Sequence, residues 1–431
     1  MTKLFFMNSN LKIAVIGAGP SGITTIKNLV EAGYKNVTCF EMNDQVGGNW
    51  VYSETEGHSS VFKTTHIISS RKFSEYTDFP MPSSYPDYPS QQELLQYFND
   101  YVDHFQIRPY IQFNSRVSSA SLTNNQWTIT LEDQRKDHFD LLIVCNGHHW
   151  DPRIPSYPGH FSGEILHSHS FKNNQKFSGK KVLVVGGGNS ACDIAVEISR
   201  VAKKTSISMR RGYHFIPKFI MGMPSDTFYS KTLWIPKRIR LFLQKLVLRL
   251  VQGKYENYGL QTPDHDILET HATVNSELLY FIKHGKIKPK VNIQSFKNNQ
   301  VVFEDGAQEK FDTIIYATGY KITFPFFETK VIDYENNPVE LYNYCFHPQI
   351  HNLMFVGLLQ PLGCIWPLAD LQAQQIVHFL NGKWKLPQNL DQAIHNQLKN
   401  RPFNFIDTPR HKLEVDFHIF YQHLKKEIQN L

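Results

Sequence analysis

Three glycines near the start of the chain have the spacing of a phosphate-binding turn. Gly17, Gly19 and Gly22 form the pattern Gly-x-Gly-x-x-Gly between an aliphatic run over 12–16 and a helix-like run over 23–32. In such a turn the first glycine permits a tight bend, the second admits a pyrophosphate, and the third lets helix and strand pack closely. The pattern therefore predicts a dinucleotide at the N-terminus of this helix.

An acidic residue follows this turn at the distance where a ribose is bound. Glu41 lies 19 positions beyond Gly22, at the end of a strand-like segment over 37–41. A carboxylate there accepts a hydrogen bond from a ribose 2′-hydroxyl and repels a 2′-phosphate, so the site favours FAD or NAD over NADP. Gly48 and Trp50 follow shortly after and add close backbone approach and an aromatic ring, which suits either a cofactor or a core.

The same turn occurs a second time with the opposite charge after it. Gly186, Gly188 and Ala191 follow the aliphatic run 181–185, and the fingerprint allows alanine in the third position. Arg210 lies 19 positions beyond Ala191, and Arg211 comes next. Two guanidinium groups at a strand end bind a 2′-phosphate through charge-assisted hydrogen bonds, so this site favours NADPH over NADH. Solvated surface charge is the alternative.

These turns need parallel strands to position them. Buried parallel strands are predicted by aliphatic runs that end in glycine, over 12–17, 140–147, 181–186 and 312–319. The proline-rich stretch 151–159 predicts a linker, and 312–319 and 353–357 resemble strand ends of the first block. The predicted fold is α/β, with two Rossmann-like domains. An NADP-binding domain over 155–290 is inserted into a discontinuous FAD-binding domain over 1–154 and 291–431.

Length and composition exclude several classes of protein. A chain of 431 residues is long enough for two to three domains at about 150 residues each. The 45 basic against 39 acidic residues are a small, diffuse excess that does not indicate a nucleic-acid binder. Five cysteines without a Cys-x-x-Cys pair indicate a reducing compartment, hence the cytoplasm. Because no run of 18 apolar residues occurs, no membrane span is expected.

One further segment combines apolar and basic residues. Over 239–252, apolar residues recur at helical spacing with arginine and lysine among them. The pattern favours an amphipathic helix packed on the protein, and a helix that lies on a membrane surface is the alternative.

The order of these motifs resembles that of the flavin-containing monooxygenases. Between the two turns, Phe161, Gly163, His167 and Phe171 match every fixed position of that family's motif Phe-x-Gly-x-x-x-His-x-x-x-(Tyr/Phe). The resemblance covers about 11–380. It implies FAD and NADPH as cofactors, O₂ as co-substrate, and a C4a-hydroperoxyflavin that oxygenates the nitrogen of an amine or the sulfur of a sulfide. It also suggests a homodimer.

The resemblance implies a role for particular residues. Around FAD it places Gly17, Gly19, Gly22, Glu41, Gly48, Trp50, Val117 and Gln372. Around NADP it places Gly186, Gly188, Asn189, Ser190, Arg210 and Arg211.

The chain departs from the family pattern beside the flavin. The family has an asparagine where a count back from Asp78 puts Ile68. His66 or Ser70 is then the candidate for the missing hydrogen bond, and a structural role for His66 stays open. Without that bond, an uncoupled NADPH oxidase or a redox-sensing flavoprotein is an alternative function.

Other chemistries share parts of this pattern. Baeyer–Villiger oxygenation of ketones uses the same flavin peroxide in another protonation state and is the nearest alternative. A flavin disulfide reductase needs two closely spaced cysteines, whereas Cys345 and Cys364 are 19 positions apart. His167 and His169 lack a carboxylate or thiol partner nearby, which favours a structural role over a metal site.

Overall fold

Two parallel sheets organise the chain. The computed structural model describes residues 10–429 except 56, 268, 271–272, 329–330, 333, 335–338 and 402–409. One unit is built from the residues up to 51, from 71–149 and from those after 320, and the other from 52–70 and 150–320. The assignment of one cofactor to each unit stays a prediction.

The first unit begins with an alternation of short strands and helices. Its described elements before position 150 are β1 (Ile13–Ile16), α1 (Pro20–Glu31), β2 (Val37–Phe40), α2 (Arg71–Ser74), α3 (Gln91–His104), β3 (Ile111–Gln112), β4 (Val117–Thr123), β5 (Gln126–Leu131), β6 (Lys136–Phe139) and β7 (Leu141–Val144). Pro20 starts α1, where its fixed φ suits the first helical position. Ser90 and Glu93 form a reciprocal capping box that starts α3.

The second unit follows along the chain. Its described elements are β8 (Asp151–Pro152), β9 (Gly159–His160), β10 (Glu164–His167), β11 (Lys181–Val185), α4 (Asn189–Ser199), β12 (Lys204–Ser208), β13 (Phe215–Ile216), β14 (Phe219–Ile220), β15 (Met223–Pro224), α5 (Ser225–Lys231), α6 (Lys237–Gln252), β16 (Thr273–Val274), α7 (Leu278–Lys283), β17 (Ile287–Lys290), β18 (Ile293–Lys297), β19 (Gln300–Phe303), β20 (Gln308–Lys310) and β21 (Thr313–Tyr316). The short strand β22 (Tyr320–Lys321) ends this stretch.

The chain then returns to the first unit. The described elements there are β23 (Leu353–Phe355), β24 (Gln360–Pro361), α8 (Trp366–Leu380), α9 (Leu390–Lys399), β25 (Glu414–Val415) and α10 (Phe417–Gln429). Helix α8 is almost entirely buried and packs against α1 and α10. It therefore fixes the helix that follows the first glycine turn.

Each sheet has five parallel strands with the glycine turn after its central one. The first sheet has the order β23-β7-β1-β2-β3, and the second has the order β10-β21-β11-β12-β17. In both sheets the turn lies where the strand order changes direction, which is where open α/β sheets bind ligands. The four predicted parallel strands are all present.

One strand lies elsewhere than predicted. The sequence predicts the segment 312–319 with the first block, but β21, which lies within this segment, pairs in parallel with β10 and β11 in the second sheet. All four of its residues are buried, because it occupies an interior position of that sheet. The expectation is therefore wrong for this strand, and residues 291–320 group with the second unit.

Side chains alternate between the two faces of β11. Val182 and Val184 point into one apolar cluster together with Ile207, while Leu183 and Val185 point into another. This period of two, with both faces covered, explains why the strand has a continuous aliphatic sequence. The first unit has its own core, which includes Trp127 and Phe139 of the β4–β6 meander.

The amphipathic helix is present but does not pack as predicted. Helix α6 covers the predicted segment, yet Ile239, Phe242 and Leu250 are 53%, 64% and 76% exposed. Within α6, only Arg240 is buried. The prediction that its apolar stripe packs on the protein is therefore wrong. Among the described residues, no helix is long and apolar enough to cross a membrane.

Candidate functional site

The first glycine turn has no room for side chains at two of its three glycines. Gly17 follows β1 with φ +99°, and a Cβ on it would lie 2.8 Å from the carbonyl oxygen of Cys145. A Cβ on Gly22 would lie 1.8 Å from the carbonyl oxygen of Gly17. These two glycines are therefore required by the protein's own backbone, with or without a ligand.

The remaining glycine is free of that constraint. Gly19 is the N-cap of α1 and makes no side-chain capping bond. A Cβ on Gly19 would lie 3.6 Å from the Cα of Gly48, an ordinary contact, whereas a Cβ on Gly48 would lie 3.0 Å from the Cα of Gly19. The helix start is thus lined by backbone alone, and its partial positive charge suits an anionic group.

Glu41 closes this turn from the end of β2. Its side chain is buried, and Oε2 accepts a hydrogen bond from the Ala18 N–H at 2.7 Å. Oε1 accepts from the Asn43 N–H at 2.8 Å. Burial raises the pKa of Glu41, and these two backbone N–H groups oppose the rise. Since each carboxylate oxygen has a second lone pair, Glu41 can also accept from a sugar hydroxyl.

Three other residues predicted at the first site have different surroundings. Trp50 is half-buried with its ring 5.6 Å from that of Trp366 in an edge contact. Val117 is buried in the apolar core of the unit. Gln372 is fully buried, and its Oε1 accepts a hydrogen bond from the Gly357 N–H at 2.9 Å.

Gly357 is a residue that sequence reasoning did not assign to the site. It has φ +79°, and a Cβ on it would lie 2.1 Å from Oγ of Ser21, in the first turn of α1. Gln372 therefore positions a backbone segment directly at this helix start. The signal in the sequence was the glycine two residues after Phe355, at the end of β23.

The second turn repeats this geometry with more open space. Gly186 has φ +137°, and a Cβ on it would lie 2.3 Å from the carbonyl oxygen of Ala317. Gly188 is the N-cap of α4, and a Cβ on it would meet nothing within 4 Å. A Cβ on Gly187 would collide with the ring of Tyr213 at 2.2 Å. Ala191, in the third position, is fully buried.

The first residues of α4 have unlike roles. Asn189 is tied into the protein, because its Oδ1 accepts a hydrogen bond from the Val274 N–H at 2.7 Å. Ser190, the next residue, is exposed at the helix start. Of the two, Ser190 has its side chain available to a ligand.

Two arginines follow β12 beside this turn. Arg210 is exposed, and the Arg211 guanidinium lies over the ring of Tyr213, with 5.5 Å to the ring centroid. Within the described part of the chain, the buried Nε of Arg211 has no hydrogen-bond partner. Tyr213 therefore contacts both the turn, at Gly187, and one of the arginines. The arrangement offers N–H donors and positive charge to a phosphate.

The predicted catalytic residues lie in the second unit. His66 is exposed, and its ring Nδ1 is 3.0 Å from the carbonyl oxygen of Thr64. Ser70 is buried, and its N–H donates to Oδ2 of Asp226 at 2.6 Å. Ile68 between them is half-buried. Their role in the reaction stays a prediction.

His167 of the family motif and His169, two positions later, are bonded within the second unit. The His169 N–H donates to Nδ1 of His167 at 3.2 Å, and Nε2 of His169 is 2.9 Å from the carbonyl oxygen of His58. Burial lowers the pKa of His167 to about 4, so this ring is neutral near pH 7. These bonds are those of a structural element. In the described part of the chain, no group of three or more metal-ligating side chains occurs.

Comparison with known proteins identifies the family. The model of the family described as "Flavin-binding monooxygenase-like" matches residues 10–430. Flavin-containing monooxygenase 5 of Rattus norvegicus is 36% identical over 436 residues, which cover 94% of this chain and 80% of the relative.

Solved structures agree in fold. The S-allyl-L-cysteine S-oxygenase of Allium sativum superposes with a TM-score of 0.72 at 23% identity, covering 96% of this chain and 88% of the other. A cyclohexanone monooxygenase superposes with a TM-score of 0.76 at 14% identity, covering 97% of each chain. The predicted α/β fold with two Rossmann-type domains is therefore confirmed.

The predicted resemblance is confirmed as well, and with it the class of enzyme. Flavin-containing monooxygenases are FAD-dependent oxidoreductases that use NADPH and O₂, as predicted. The similarity extends over nearly the whole described chain and includes both glycine turns. This chain is therefore a member of the flavin-binding monooxygenase family.

Proposed function

We propose that this monooxygenase binds FAD at the turn after β1 and NADPH at the turn after β11, and oxygenates an amine nitrogen or a sulfide sulfur. The observation that carries the assignment of cofactors is the opposite charge beside two similar turns. A buried carboxylate, Glu41, closes the first turn, while Arg210 and Arg211 follow the strand beside the second. A 2′-phosphate is repelled by the carboxylate and attracted by the arginines.

The first turn fits FAD on steric grounds. Gly17 and Gly22 allow a bend that no side chain could enter, and the glycine N-cap leaves the N-terminal amides of α1 to a pyrophosphate. In this proposal Glu41 accepts from a ribose hydroxyl with its second lone pairs. Gln372 acts by holding Gly357 at the helix start, so it is a positioning residue. When bound, FAD supplies the redox chemistry and the activation of O₂.

The second turn fits NADPH on electrostatic grounds. The buried Nε of Arg211 lacks a hydrogen-bond partner among the described residues, and a buried donor without a partner costs stability unless a ligand satisfies it. Arg210 is exposed and adds a second guanidinium. Ser190 and the amides after Gly188 are the groups we assign to the pyrophosphate.

The substrate class rests on sequence similarity rather than on fold. The chain is 36% identical to a flavin-containing monooxygenase, whereas it is only 14% identical to a cyclohexanone monooxygenase that superposes on it with a TM-score of 0.76. It also has the flavin-containing monooxygenase motif from Phe161 to Phe171. We therefore favour amine or sulfide oxygenation over Baeyer–Villiger oxygenation of ketones. All five cysteines are buried and free, which supports a reducing setting such as the cytoplasm.

Product analysis tests this proposal. The overall reaction consumes one NADPH, one proton and one O₂, and yields NADP⁺, water and the oxide. The purified enzyme is supplied with NADPH, isotopically labelled O₂ and one of three probes: a tertiary amine, a thioether or cyclohexanone. We expect labelled N-oxide or sulfoxide in a ratio close to one per NADPH, and little lactone.

Each other outcome identifies an alternative. Labelled lactone as the main product would overturn the substrate class in favour of Baeyer–Villiger oxygenation. Hydrogen peroxide in place of any oxide, with all three probes, would indicate an uncoupled NADPH oxidase. That result would also point to Ile68, which stands where the family has asparagine.

A further inference from the structure

A tight turn without glycine lies in the first unit, shortly before β23. Its central residues, Asn343 and Tyr344, have φ +50° and +55°. Across them, the Cys345 N–H donates to the carbonyl oxygen of Tyr342 at 3.0 Å. This is the pattern of a type I′ turn, which needs positive φ at both central residues and favours glycine there. A tyrosine in this conformation costs energy, so contacts from outside the turn must hold it in place.

Three helices hold this turn through Asn343, which is fully buried. Its N–H donates to Oε1 of Gln397 in α9 at 2.7 Å. Its Nδ2 donates to Oε2 of Glu427 in α10 at 3.2 Å and to Oε1 of Gln375 in α8 at 3.3 Å. Nε2 of His423, also in α10, lies 3.0 Å from its Oδ1. Both polar atoms of the Asn343 side chain are therefore bonded.

Helix α10 also contacts the residues on either side of Asn343. The hydroxyl of Tyr342 donates to Oε1 of Glu427 at 3.2 Å. The buried ring of Tyr344 meets the ring of Phe420 edge-on, with 5.5 Å between the centroids. A glycine in place of Tyr344 would relieve the strain but lose this contact. The strained turn is therefore fastened to α10 at three successive residues.

The backbone of this turn is bonded to the residue that holds the first glycine turn. The carbonyl oxygen of Asn343 accepts a hydrogen bond from Nε2 of Gln372 at 2.9 Å, and that of Tyr344 lies 3.4 Å from the same nitrogen. At the other end of the same amide, Oε1 of Gln372 accepts from the Gly357 N–H. A Cβ on Gly357 would collide with Ser21 at the start of α1. The Gln372 amide therefore joins the strained turn to the start of α1.

We propose that Asn343 is a positioning residue for FAD, which acts through Gln372 and Gly357 without touching the cofactor. This inference rests on the proposed binding of FAD at the turn after β1. The Gln372 side chain has rotatable bonds, so its amide is fixed only while both of its ends are bonded. The strained turn supplies the acceptors for one end, and α10 holds that turn. Helix α10 therefore contributes to FAD affinity through this chain of contacts.

Dilution of the yellow holoenzyme tests this proposal, because the fluorescence of the released FAD gives the Kd for FAD. The wild type is compared with Gln372→Met, with Asn343→Gly and with the double variant. Glycine adopts positive φ without strain, so Asn343→Gly removes the side-chain bonds and spares the turn. We expect the Kd to rise about tenfold in Gln372→Met and about fivefold in Asn343→Gly, as for the loss of one buried hydrogen bond.

The double variant distinguishes positioning from a general loss of stability. If Asn343 acts through Gln372, its removal has no further effect once the Gln372 amide is gone. The double variant should then bind FAD about tenfold more weakly than the wild type, as Gln372→Met does, whereas independent effects would multiply to about fiftyfold.

A matched control is available at another buried asparagine of the first unit. The Nδ2 of Asn352 donates to the carbonyl oxygens of Asn125 and Asp140, at 3.0 Å each. Asn352 precedes β23, and β23, β7 and β1 are parallel, so it lies at the opposite edge of the sheet from the glycine turn. Asn352→Ala should lower the melting temperature and leave the Kd for FAD unchanged.

Two substitutions in α10 test its contribution without changing the turn itself. Glu427→Leu removes the carboxylate that accepts from Asn343 and should raise the Kd for FAD about threefold. Glu427→Gln keeps an oxygen acceptor and should bind FAD like the wild type. Circular dichroism shows whether each variant is folded. If Asn343→Gly does not fold, Glu427→Leu combined with Gln372→Met provides the same test of additivity.

Two results would overturn the proposal. One is a wild-type Kd for FAD in both Asn343→Gly and Glu427→Leu. The other is a double variant in which the two effects multiply, because Asn343 would then act independently of Gln372. The proposed function fails in a different way. If FAD does not bind at the turn after β1, Gln372→Met alone leaves the Kd unchanged, which overturns the placement of FAD and this proposal with it.

Discussion

The two glycine turns have almost the same backbone and different surroundings. Gly19 and Gly188, the N-caps of α1 and α4, have φ and ψ of −70° and −176°, and of −83° and −179°. Around Gly19 the chain adds a second glycine backbone at Gly48 and a buried acid. Around Gly188 there is open space, with arginines after the neighbouring strand.

The comparison separates two properties that the glycine pattern does not distinguish. The turn and the helix start provide a general site for phosphate, and they are nearly identical in the two units. In the proposed function, the residue at the end of the next strand selects the ribose, and the charge at that position is opposite in the two units.

The effect of a substitution at the third position of the turn should be the largest, and it should differ most between the two units. Gly22→Ala places a Cβ where the Gly17 carbonyl oxygen lies 1.8 Å away, so the backbone must move. We expect a loss of about 3 kcal/mol or more in the free energy of unfolding. Little FAD should remain bound. Chemical denaturation and the flavin absorbance of the purified protein measure the two effects.

The second unit supplies the reverse substitution as a control. Ala191 occupies the equivalent position with a buried methyl group, and Ala191→Gly should cost only about 1 kcal/mol from helix propensity. Its FAD content should be that of the wild type. A Gly22→Ala protein as stable and as yellow as the wild type would show that the first turn is wrongly described.

The preference for NADPH over NADH should depend on Arg210 and Arg211. Removing both with Arg210→Ala and Arg211→Ala takes away two charge-assisted contacts, which we expect to raise the KM for NADPH by about 100-fold. The KM for NADH should hardly change, because NADH has no 2′-phosphate. Lys203→Ala removes an exposed cation before the other end of β12 and serves as the control. An equal rise in the KM for NADPH and in the KM for NADH would contradict binding of the 2′-phosphate by the two arginines.

The two turns and their strands could be predicted from the sequence because they are local. The spacing of Gly17, Gly19 and Gly22 and the aliphatic runs before each turn depend only on neighbours in the chain. The place of β21 could not be predicted in this way. Its Thr-Ile-Ile-Tyr sequence suits the interior of either sheet, and long-range pairing with β10 and β11 decides between them.

Residues that act by positioning the backbone could not be predicted from the sequence either. Gly357 reaches the start of α1 only because β23 lies beside β7 in the first sheet. Gln372 was predicted at the FAD site, but the sequence gives no sign that its side chain holds Gly357. For α6 the periodicity predicted a helix correctly, whereas a hydrophobic pattern alone does not say what will cover it.

The two helices that follow the turns should contribute differently to the pH dependence of stability. Asp193 is the fifth residue of α4, where α1 has Thr24, and burial raises the pKa of Asp193 to about 6. The folded protein therefore keeps a proton that the unfolded chain releases near pH 4. This contribution to stability is complete below about pH 4 and is lost as the pH rises through 6.

Asp193→Asn should remove that dependence. Between pH 4 and pH 7 we expect the wild type to lose about 2 kcal/mol relative to the variant, less than the full pKa shift because Asp193 retains some solvent contact. Denaturant titrations at several pH values measure the difference. In the variant, Nδ2 of Asn275 can still donate a hydrogen bond to the side-chain oxygen at position 193, so α4 should stay in place. Parallel curves for the two proteins would contradict the prediction.

The smallest effect is expected for substitutions at the two helix N-caps. It should also be the most specific, because these substitutions should change cofactor binding without changing the fold. Gly19→Ala places a Cβ in ordinary contact with Gly48, and Gly188→Ala places one in open space, so neither change strains the protein. The free energy of unfolding of the ligand-free protein should change by only about 0.5 kcal/mol in each case. If a pyrophosphate lies against these backbones, Gly19→Ala should weaken FAD binding by about tenfold and leave the KM for NADPH unchanged. Gly188→Ala should do the reverse, and unaltered affinity for both cofactors would mean that neither phosphate group approaches these helix starts.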